Sequence, residues 1–154
     1  KVPDAGVAKD LDACVAWAAK NGGEVARLAI TGFCGGERQT WLYAAHNPAL
    51  KAGVAWYGVL DGAATDRTPK FPLDLAAQIK APVLGLYGSA DQGIPMDDVD
   101  AMRSELTKAG SKSQMHVYEG APHAFHADYR PTFRKDAAED GWKRLLAWFR
   151  ANGV

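Results

Sequence analysis

The chain has 154 residues, which is enough for one domain with a buried core, and its 47% hydrophobic content argues against disorder. Lys plus Arg and Asp plus Glu both number 18, so the formal charge is zero, and no basic cluster suggests a nucleic-acid partner. The longest uncharged stretch, residues 39–50, is shorter than the roughly 20 apolar residues of a membrane helix. We expect a single domain over residues 1–154 that binds neither nucleic acid nor membrane. We also expect a cytoplasmic location, with a removed export signal left open.

Helical and strand-like segments alternate along the chain. Apolar residues at helical spacing predict helices at 4–21, 37–46, 97–109 and 135–151. Short apolar runs predict strands at 25–31, 53–57, 82–87 and 114–119, and a long loop at 60–82 contains a helical turn near 73–78. In the last helix, the residues expected to face the sheet are Ala138, Trp142, Leu145 and Phe149. This alternation predicts an α/β fold of three layers, with a mostly parallel sheet between helices.

The most informative motif is Gly32-Phe33-Cys34-Gly35-Gly36, which follows directly after the first predicted strand. It has the layout of a nucleophile elbow, in which a strand turns sharply into a helix and presents a reactive side chain. Glycines two residues before and after Cys34 would let that turn close without Cβ clashes. A thiol at a helix N-terminus is favoured as thiolate, and the Gly35 N–H would point to where an oxyanion forms. The alternative is an inert structural thiol.

Two further residues follow in the order that nucleophile-elbow hydrolases use, namely nucleophile, acid and histidine. Asp91 comes after the strand predicted at 82–87, and His123 comes after the strand predicted at 114–119. Both therefore lie beyond the carboxyl ends of predicted strands, at the same sheet edge as Cys34. Ligands of open parallel sheets bind at that edge. The sequence thus predicts a Cys–His–Asp catalytic site.

Four motifs in this chain resemble the C-terminal two thirds of the dienelactone hydrolase (carboxymethylenebutenolidase) family, an α/β-hydrolase group. They are Thr31-Gly32-Phe33-Cys34, Trp41-Leu42-Tyr43-Ala44-Ala45-His46-Asn47-Pro48, Tyr87-Gly88-Ser89-Ala90-Asp91 and Ala121-Pro122-His123-Ala124-Phe125. They occur in the family's order, and the resemblance covers nearly all 154 residues. It implies a hydrolase that opens unsaturated lactones, with Cys34 as nucleophile, Asp91 orienting the histidine and His123 as general base. It implies no cofactor and no metal.

The resemblance also implies several strands before the helix that begins at residue 4. In the family, those strands carry an oxyanion N–H, a glutamate implicated in activating the cysteine and an arginine for the substrate carboxylate. Because the chain starts at Lys1 without methionine, we expect it to be a processed or truncated piece, a partial domain of this fold. It departs from the family pattern at Gly35, where a bulky residue is common, and at Glu37, where another glycine is common. Arg130 is the one candidate for an arginine that some members carry after the histidine.

Glu37 and Arg38 each allow two interpretations. Glu37 suits the positive end of the helix dipole as a capping residue, but it lies close enough to Cys34 to act as a substitute base near the thiol. Its charge would raise the pKa of that thiol. Arg38 is expected to be a solvated helix charge, with pairing to a ligand carboxylate as the alternative.

The other candidate residues concern the wall of the site and competing chemistry. Trp56, Tyr57 and Phe125 follow strand ends or flank His123, so we expect them to bind substrate, with an ordinary aromatic core as the alternative. Cys14 falls on an apolar helix face and is predicted to be a small core residue. A zinc site is a further alternative. Its ligands would be His116, His123 and His126, although their spacing matches no known local pattern.

The mechanism we expect is acyl transfer from a lactone or activated ester to Cys34, with hydrolysis of the resulting thioester. A different hypothesis is a non-catalytic fragment that binds a partner or itself through the strand at 25–31, whose apolar edge would be bare. An oligomer built on that strand would support the second hypothesis. A thiol redox protein is a third and weaker option, because no resolving cysteine is expected near Cys34.

Overall fold

The computed structural model describes residues 2–154 of the chain. Its helices are α1 (Asp4–Lys20), α2 (Gly35–His46), α3 (Met96–Lys108) and α4 (Lys135–Ala151), and its strands are β1 (Ala29–Phe33), β2 (Ala52–Trp56), β3 (Val83–Gly88) and β4 (Gln114–Tyr118). Short 3-10 turns lie at Val25–Arg27 and Leu73–Gln78. The described residues form one four-stranded sheet in the order β1-β2-β3-β4, and every neighbouring pair is parallel. The predicted α/β class with a parallel sheet is confirmed.

Helices cover both faces of the sheet. A Cβ added at Gly53 on β2 would come within 3.1 Å of Thr40 on α2, so that side of β2 packs closely against α2. On the opposite side, a Cβ added at Gly141 on α4 would come within 2.6 Å of the Trp56 ring. Because successive side chains of a strand point to opposite faces, α2 and α4 enclose the sheet from its two sides.

The carboxyl ends of the strands lie at one edge of the sheet. The register pairs Phe33 with Trp56 at the ends of β1 and β2, and the Tyr57 N–H donates to the Leu86 carbonyl at 2.9 Å. A hydrogen bond joins the segments that follow β3 and β4, because the Ser89 N–H donates to the Tyr118 carbonyl at 3.0 Å. The residues that follow all four strands therefore converge on one side of the molecule.

Three details of the sequence interpretation are wrong. The first strand begins at Ala29 and not at residue 25, because residues 25–27 form a 3-10 turn. Cys14 is exposed on α1, a helix with no buried residue, and is not a core residue. Trp142 on α4 does not pack into the sheet interface, since 45% of its surface is exposed.

No helix among residues 2–154 is long and apolar enough to cross a membrane.

Candidate active site

Cys34 stands at the sharp turn between β1 and α2. Its backbone has φ 54° and ψ −117°, a left-handed conformation that is rare for residues other than glycine. The turn is held by the Cys34 N–H, which donates to the Trp56 carbonyl at 3.0 Å, and by the Glu37 N–H, which donates to the Cys34 carbonyl at 3.1 Å. The strained turn lifts the thiol out of the strand direction, as an elbow requires.

The two glycines that flank Cys34 have different roles. A Cβ at Gly32 would lie 2.2 Å from the Gly36 carbonyl oxygen, so only glycine fits there. A Cβ at Gly36 would meet nothing within 4 Å. The expectation that both glycines relieve a clash is therefore wrong for Gly36. In this turn it is the backbone carbonyl of Gly36 that comes close to Gly32.

The structure brings the thiol, an imidazole and a carboxylate into one hydrogen-bonded chain. His123 Nε2 lies 3.3 Å from Cys34 Sγ, and His123 Nδ1 lies 2.7 Å from Asp91 Oδ2. With the Nδ1 proton donated to Asp91, Nε2 is free to accept the thiol proton. The arrangement can therefore generate a thiolate without any group from outside the described residues.

Two loops hold Asp91 and His123 in place. A Cβ at Gly88 would lie 2.1 Å from the Ala121 carbonyl oxygen, so the absence of a side chain lets the loops after β3 and β4 touch. The Asp91 side chain is 1% exposed, and its second oxygen accepts the Gly93 N–H at 2.9 Å. A carboxylate fixed in this way can orient the imidazole and stabilise its charged form.

The thiol of Cys34 is not activated in the resting site. Burial raises the pKa of Cys34, the Arg130 cation lowers it, and the negative charge of Asp91 raises it. The expectation that the helix N-terminus favours the thiolate is therefore not met. His123 Nε2, 3.3 Å from Sγ, is the group in this site that can accept the thiol proton.

Glu37 lies in the protein interior beneath the elbow. Its side chain is fully buried, and Oε1 accepts hydrogen bonds from the Trp41 indole at 2.6 Å and from the Tyr87 hydroxyl. Oε2 is buried with no hydrogen-bond partner, and it occupies the space that a Cβ at Gly58 would need, 1.8 Å away. Burial raises the pKa of Glu37 to about 8, so the carboxyl is neutral at pH 7.

These contacts correct the interpretation of Glu37 as a capping residue, since its carboxyl is buried and accepts its hydrogen bonds from the side chains of Trp41 and Tyr87. Arg38 is also buried and is not a solvated charge. Its guanidinium binds both carboxylate oxygens of Asp4, at 2.6 and 2.8 Å, donates to the Lys70 carbonyl and lies 4.8 Å from the centre of the Phe71 ring. Arg38 therefore joins the start of α1 to α2 through an ion pair, and its guanidinium is not available to a ligand.

A cavity of about 810 Å³ opens beside Cys34. Residues in its wall include Phe33, Cys34, Tyr57, His126, Arg130 and Trp142. The predicted wall residues Trp56 and Phe125 are fully buried behind it, because the Phe33 ring stacks over Trp56 at 5.1 Å and Tyr57 packs edge-on against Phe125. The sequence interpretation missed Phe33 and Trp142, although Phe33 directly precedes Cys34 in the chain.

Gly35 is the first residue of α2 and is exposed. Its N–H belongs to the first turn of the helix, where backbone donors have no partner within the helix. Within residues 2–154, no three His, Cys, Asp or Glu side chains lie together as a possible metal site, so the three-histidine alternative has no geometric basis.

The fold and the elbow place this chain among α/β-hydrolase-like proteins. The sequence model of the family described as "Dienelactone hydrolase family" matches residues 1–153, and the chain belongs to that family. A Methylorubrum extorquens protein named "Putative carboxymethylenebutenolidase" is 61% identical over 155 residues, with 100% of this chain and 53% of the relative aligned. A crystal structure from Klebsiella pneumoniae, named "Putative Dienelactone Hydrolase", superimposes with a TM-score of 0.95 at 55% identity. That superposition covers 97% of this chain and 62% of the other.

A more distant relative from Bradyrhizobium is named "Probable 2-oxo-3-(5-oxofuran-2-ylidene)propanoate lactonase". It is 35% identical over 149 residues, which are 96% of this chain and 60% of the relative. The chain thus spans little more than half the length of these relatives.

Proposed function

We propose that this chain hydrolyses lactones or activated esters through a thioester on Cys34. The observation that carries the proposal is the hydrogen-bonded chain from Cys34 through His123 to Asp91, with separations of 3.3 and 2.7 Å. Membership of the dienelactone hydrolase family and the lactonase name of the Bradyrhizobium relative support the same reaction class.

The first half-reaction forms a carbon–sulfur bond. His123 takes the proton of Cys34 through Nε2, and the thiolate attacks the carbonyl carbon. The Gly35 N–H, in the first turn of α2, would donate to the oxyanion of the tetrahedral intermediate. When the intermediate collapses, the carbon–oxygen bond breaks and the leaving alkoxide takes the proton from the His123 imidazolium.

The second half-reaction breaks the thioester. His123 takes a proton from water, the hydroxyl oxygen attacks the carbonyl carbon, and the carbon–sulfur bond breaks. The thiolate recovers a proton from His123, and the carboxylic acid product leaves. Asp91, whose Oδ2 lies 2.7 Å from His123 Nδ1, stabilises the imidazolium in both half-reactions. No electron transfer occurs. In sum, one water molecule hydrolyses the ester to a carboxylic acid and an alcohol.

Steady-state and burst kinetics with p-nitrophenyl acetate test the proposal. We expect Cys34→Ala and His123→Ala to lose at least 1000-fold in kcat/KM, because each removes a member of the proton-transfer chain. Cys14→Ala is the matched control, since that exposed cysteine lies on α1, and it should keep full activity. Hydrolysis that survives Cys34→Ala unchanged would refute the proposal.

A second candidate function is self-association through β1. In the described part of the chain β1 pairs only with β2, and Thr31 in the middle of β1 is exposed, so one row of backbone donors and acceptors is unpaired. We propose that a second copy of this chain can pair there. Light scattering should then give a dimer that Thr31→Pro converts to monomer, and a monomer in the unmodified chain would exclude this function.

A further inference from the structure

The cavity beside Cys34 has a continuous wall of rings, which we call the aromatic strip and define as Phe33, His126 and Trp142. The centres of Phe33 and His126 are 5.2 Å apart, and those of His126 and Trp142 are 6.0 Å apart. Both separations lie in the range of direct ring–ring packing. Phe33 and Cys34 both line the cavity, so the strip and the thiol face the same space.

The strip has no net charge of its own. Burial lowers the pKa of His126, so its imidazole is neutral at pH 7. The charged side chains that also line the cavity are two of each sign: Asp128, Arg130, Glu139 and Lys143. A rim of balanced charge gives no general preference for an anionic or a cationic ligand.

The volume of the cavity sets an upper limit on the size of its ligand. At about 810 Å³ it falls in the upper part of the range for pockets that bury drug-sized molecules, and it is far larger than an acetyl group needs. Trp142 is 45% exposed on the cavity side of α4, so a large apolar surface there has no protein partner among residues 2–154. A ligand ring seated on Trp142 would bury that surface.

We propose that the aromatic strip binds an uncharged aromatic acyl group, such as phenylacetyl, and that Trp142 determines this preference. The inference rests on the proposed hydrolase function and specifies the substrate of the same site. The carbonyl carbon would lie at Cys34, and the ring of the acyl group would pack along the strip toward α4.

The test compares esters that share one leaving group. The p-nitrophenyl esters of acetate, phenylacetate and succinate (the last with a free carboxylate) are assayed with this chain, and each kcat/KM is divided by the rate constant for hydroxide. We expect the phenylacetate value to exceed the acetate value about tenfold or more, which is the range that ring–ring contact and apolar burial support. The anionic succinate ester should give no such gain.

Two variants of Trp142 make the assignment specific. Trp142→Ala should lower the phenylacetate value about five- to tenfold and the acetate value less than twofold, and Trp142→Phe should keep most of the preference. Trp17→Ala is the control, because Trp17 is 67% exposed on α1 and does not line the cavity. Equal values for acetate and phenylacetate, a preference for the succinate ester, or a preference that survives Trp142→Ala would each overturn the inference.

A binding measurement separates failure of the inference from failure of the hydrolase proposal. Calorimetric titration of the Cys34→Ala variant with phenylacetamide, which is uncharged and cannot react, should show binding that Trp142→Ala abolishes. If no ester is hydrolysed but this binding is observed, the hydrolase proposal fails and the ligand assignment stands. If phenylacetamide does not bind, the aromatic strip is not a ligand site.

Discussion

Glu37 makes the stability of this chain depend on pH in a direction that most carboxyl groups do not. The pKa of Glu37 is raised from 4.5 to about 8 by burial in the folded protein, so folding takes up a proton between these two values. Its stabilising contribution is complete below pH 4.5 and is lost as the pH rises through 8. At about 1.4 kcal/mol for each pKa unit, the full loss is on the order of 5 kcal/mol.

The part of this loss that falls between pH 6 and pH 9 is about 2–3 kcal/mol. Replacing Glu37 by Gln removes the titration, while the amide oxygen can still accept hydrogen bonds from Trp41 and Tyr87. We expect urea unfolding of the unmodified chain to give a lower free energy of unfolding at pH 9 than at pH 6 by that amount. The Glu37→Gln variant should lose less than 1 kcal/mol over the same interval.

The absolute stability of Glu37→Gln is not the readout, because its amide N–H₂ takes the place of the unpartnered Oε2 and brings its own cost. The readout is the difference in pH dependence between variant and parent. Glu105→Gln, which changes a surface carboxyl on α3, is the matched control and should follow the parent curve. Parallel curves for the parent and Glu37→Gln would refute the assignment of a neutral buried carboxyl.

Three other predictions concern the elbow and its surroundings. Gly58→Ala should lower the free energy of unfolding by about 2–3 kcal/mol, because the added Cβ would lie 2.5 Å from the Cys34 carbonyl oxygen. Gly36→Ala is the control and should leave the free energy of unfolding unchanged, because a Cβ there would have nothing within 4 Å. Equal losses in the two variants would contradict this explanation. The rate of Cys34 alkylation by iodoacetamide should rise with pH around a midpoint above the value of about 8.5 for a free thiol. Arg130→Gln should move this midpoint higher, because it removes the cation that lowers the pKa of the thiol. A midpoint below about 7 would contradict the raised pKa. Arg38→Met should cost about 3 kcal/mol in urea unfolding, because it leaves the largely buried Asp4 carboxylate with only the neutral Gln39 amide as a side-chain partner. An unchanged midpoint would show that the ion pair contributes nothing.

The sequence was sufficient to predict the elements that depend on local spacing. Residues 73–78 and 135–151 have the predicted bounds, and the other helices agree to within one or two residues at each end. The sheet edge that carries Cys34, Asp91 and His123 was also predictable, because the order of parallel strands fixes which loops share an edge. The first strand begins four residues later than the sequence predicts, since an apolar run does not distinguish a 3-10 turn from a strand.

The contacts that the sequence did not predict are those made by residues far apart in the chain. Glu37 is buried because Gly58 leaves room for its carboxyl and because Tyr87 on β3 offers a hydroxyl, and neither fact is visible in the first turn of a helix. Arg38 is buried because Asp4 meets it from α1. Trp142 falls on an apolar helical row but lies where α4 borders the cavity, so spacing alone could not separate a core residue from a cavity wall.

The most direct test of the account is an intact-mass measurement of this chain, quenched in acid within the burst of p-nitrophenyl acetate hydrolysis. We expect one acetyl adduct, located on Cys34 by peptide mapping. Neutral hydroxylamine should release it, as it does a thioester, and a delayed quench should show that it has turned over. Cys14 should remain unmodified. An adduct on any other residue, or rapid hydrolysis of the ester with Cys34 never acylated, would contradict the central claim that Cys34 is the nucleophile.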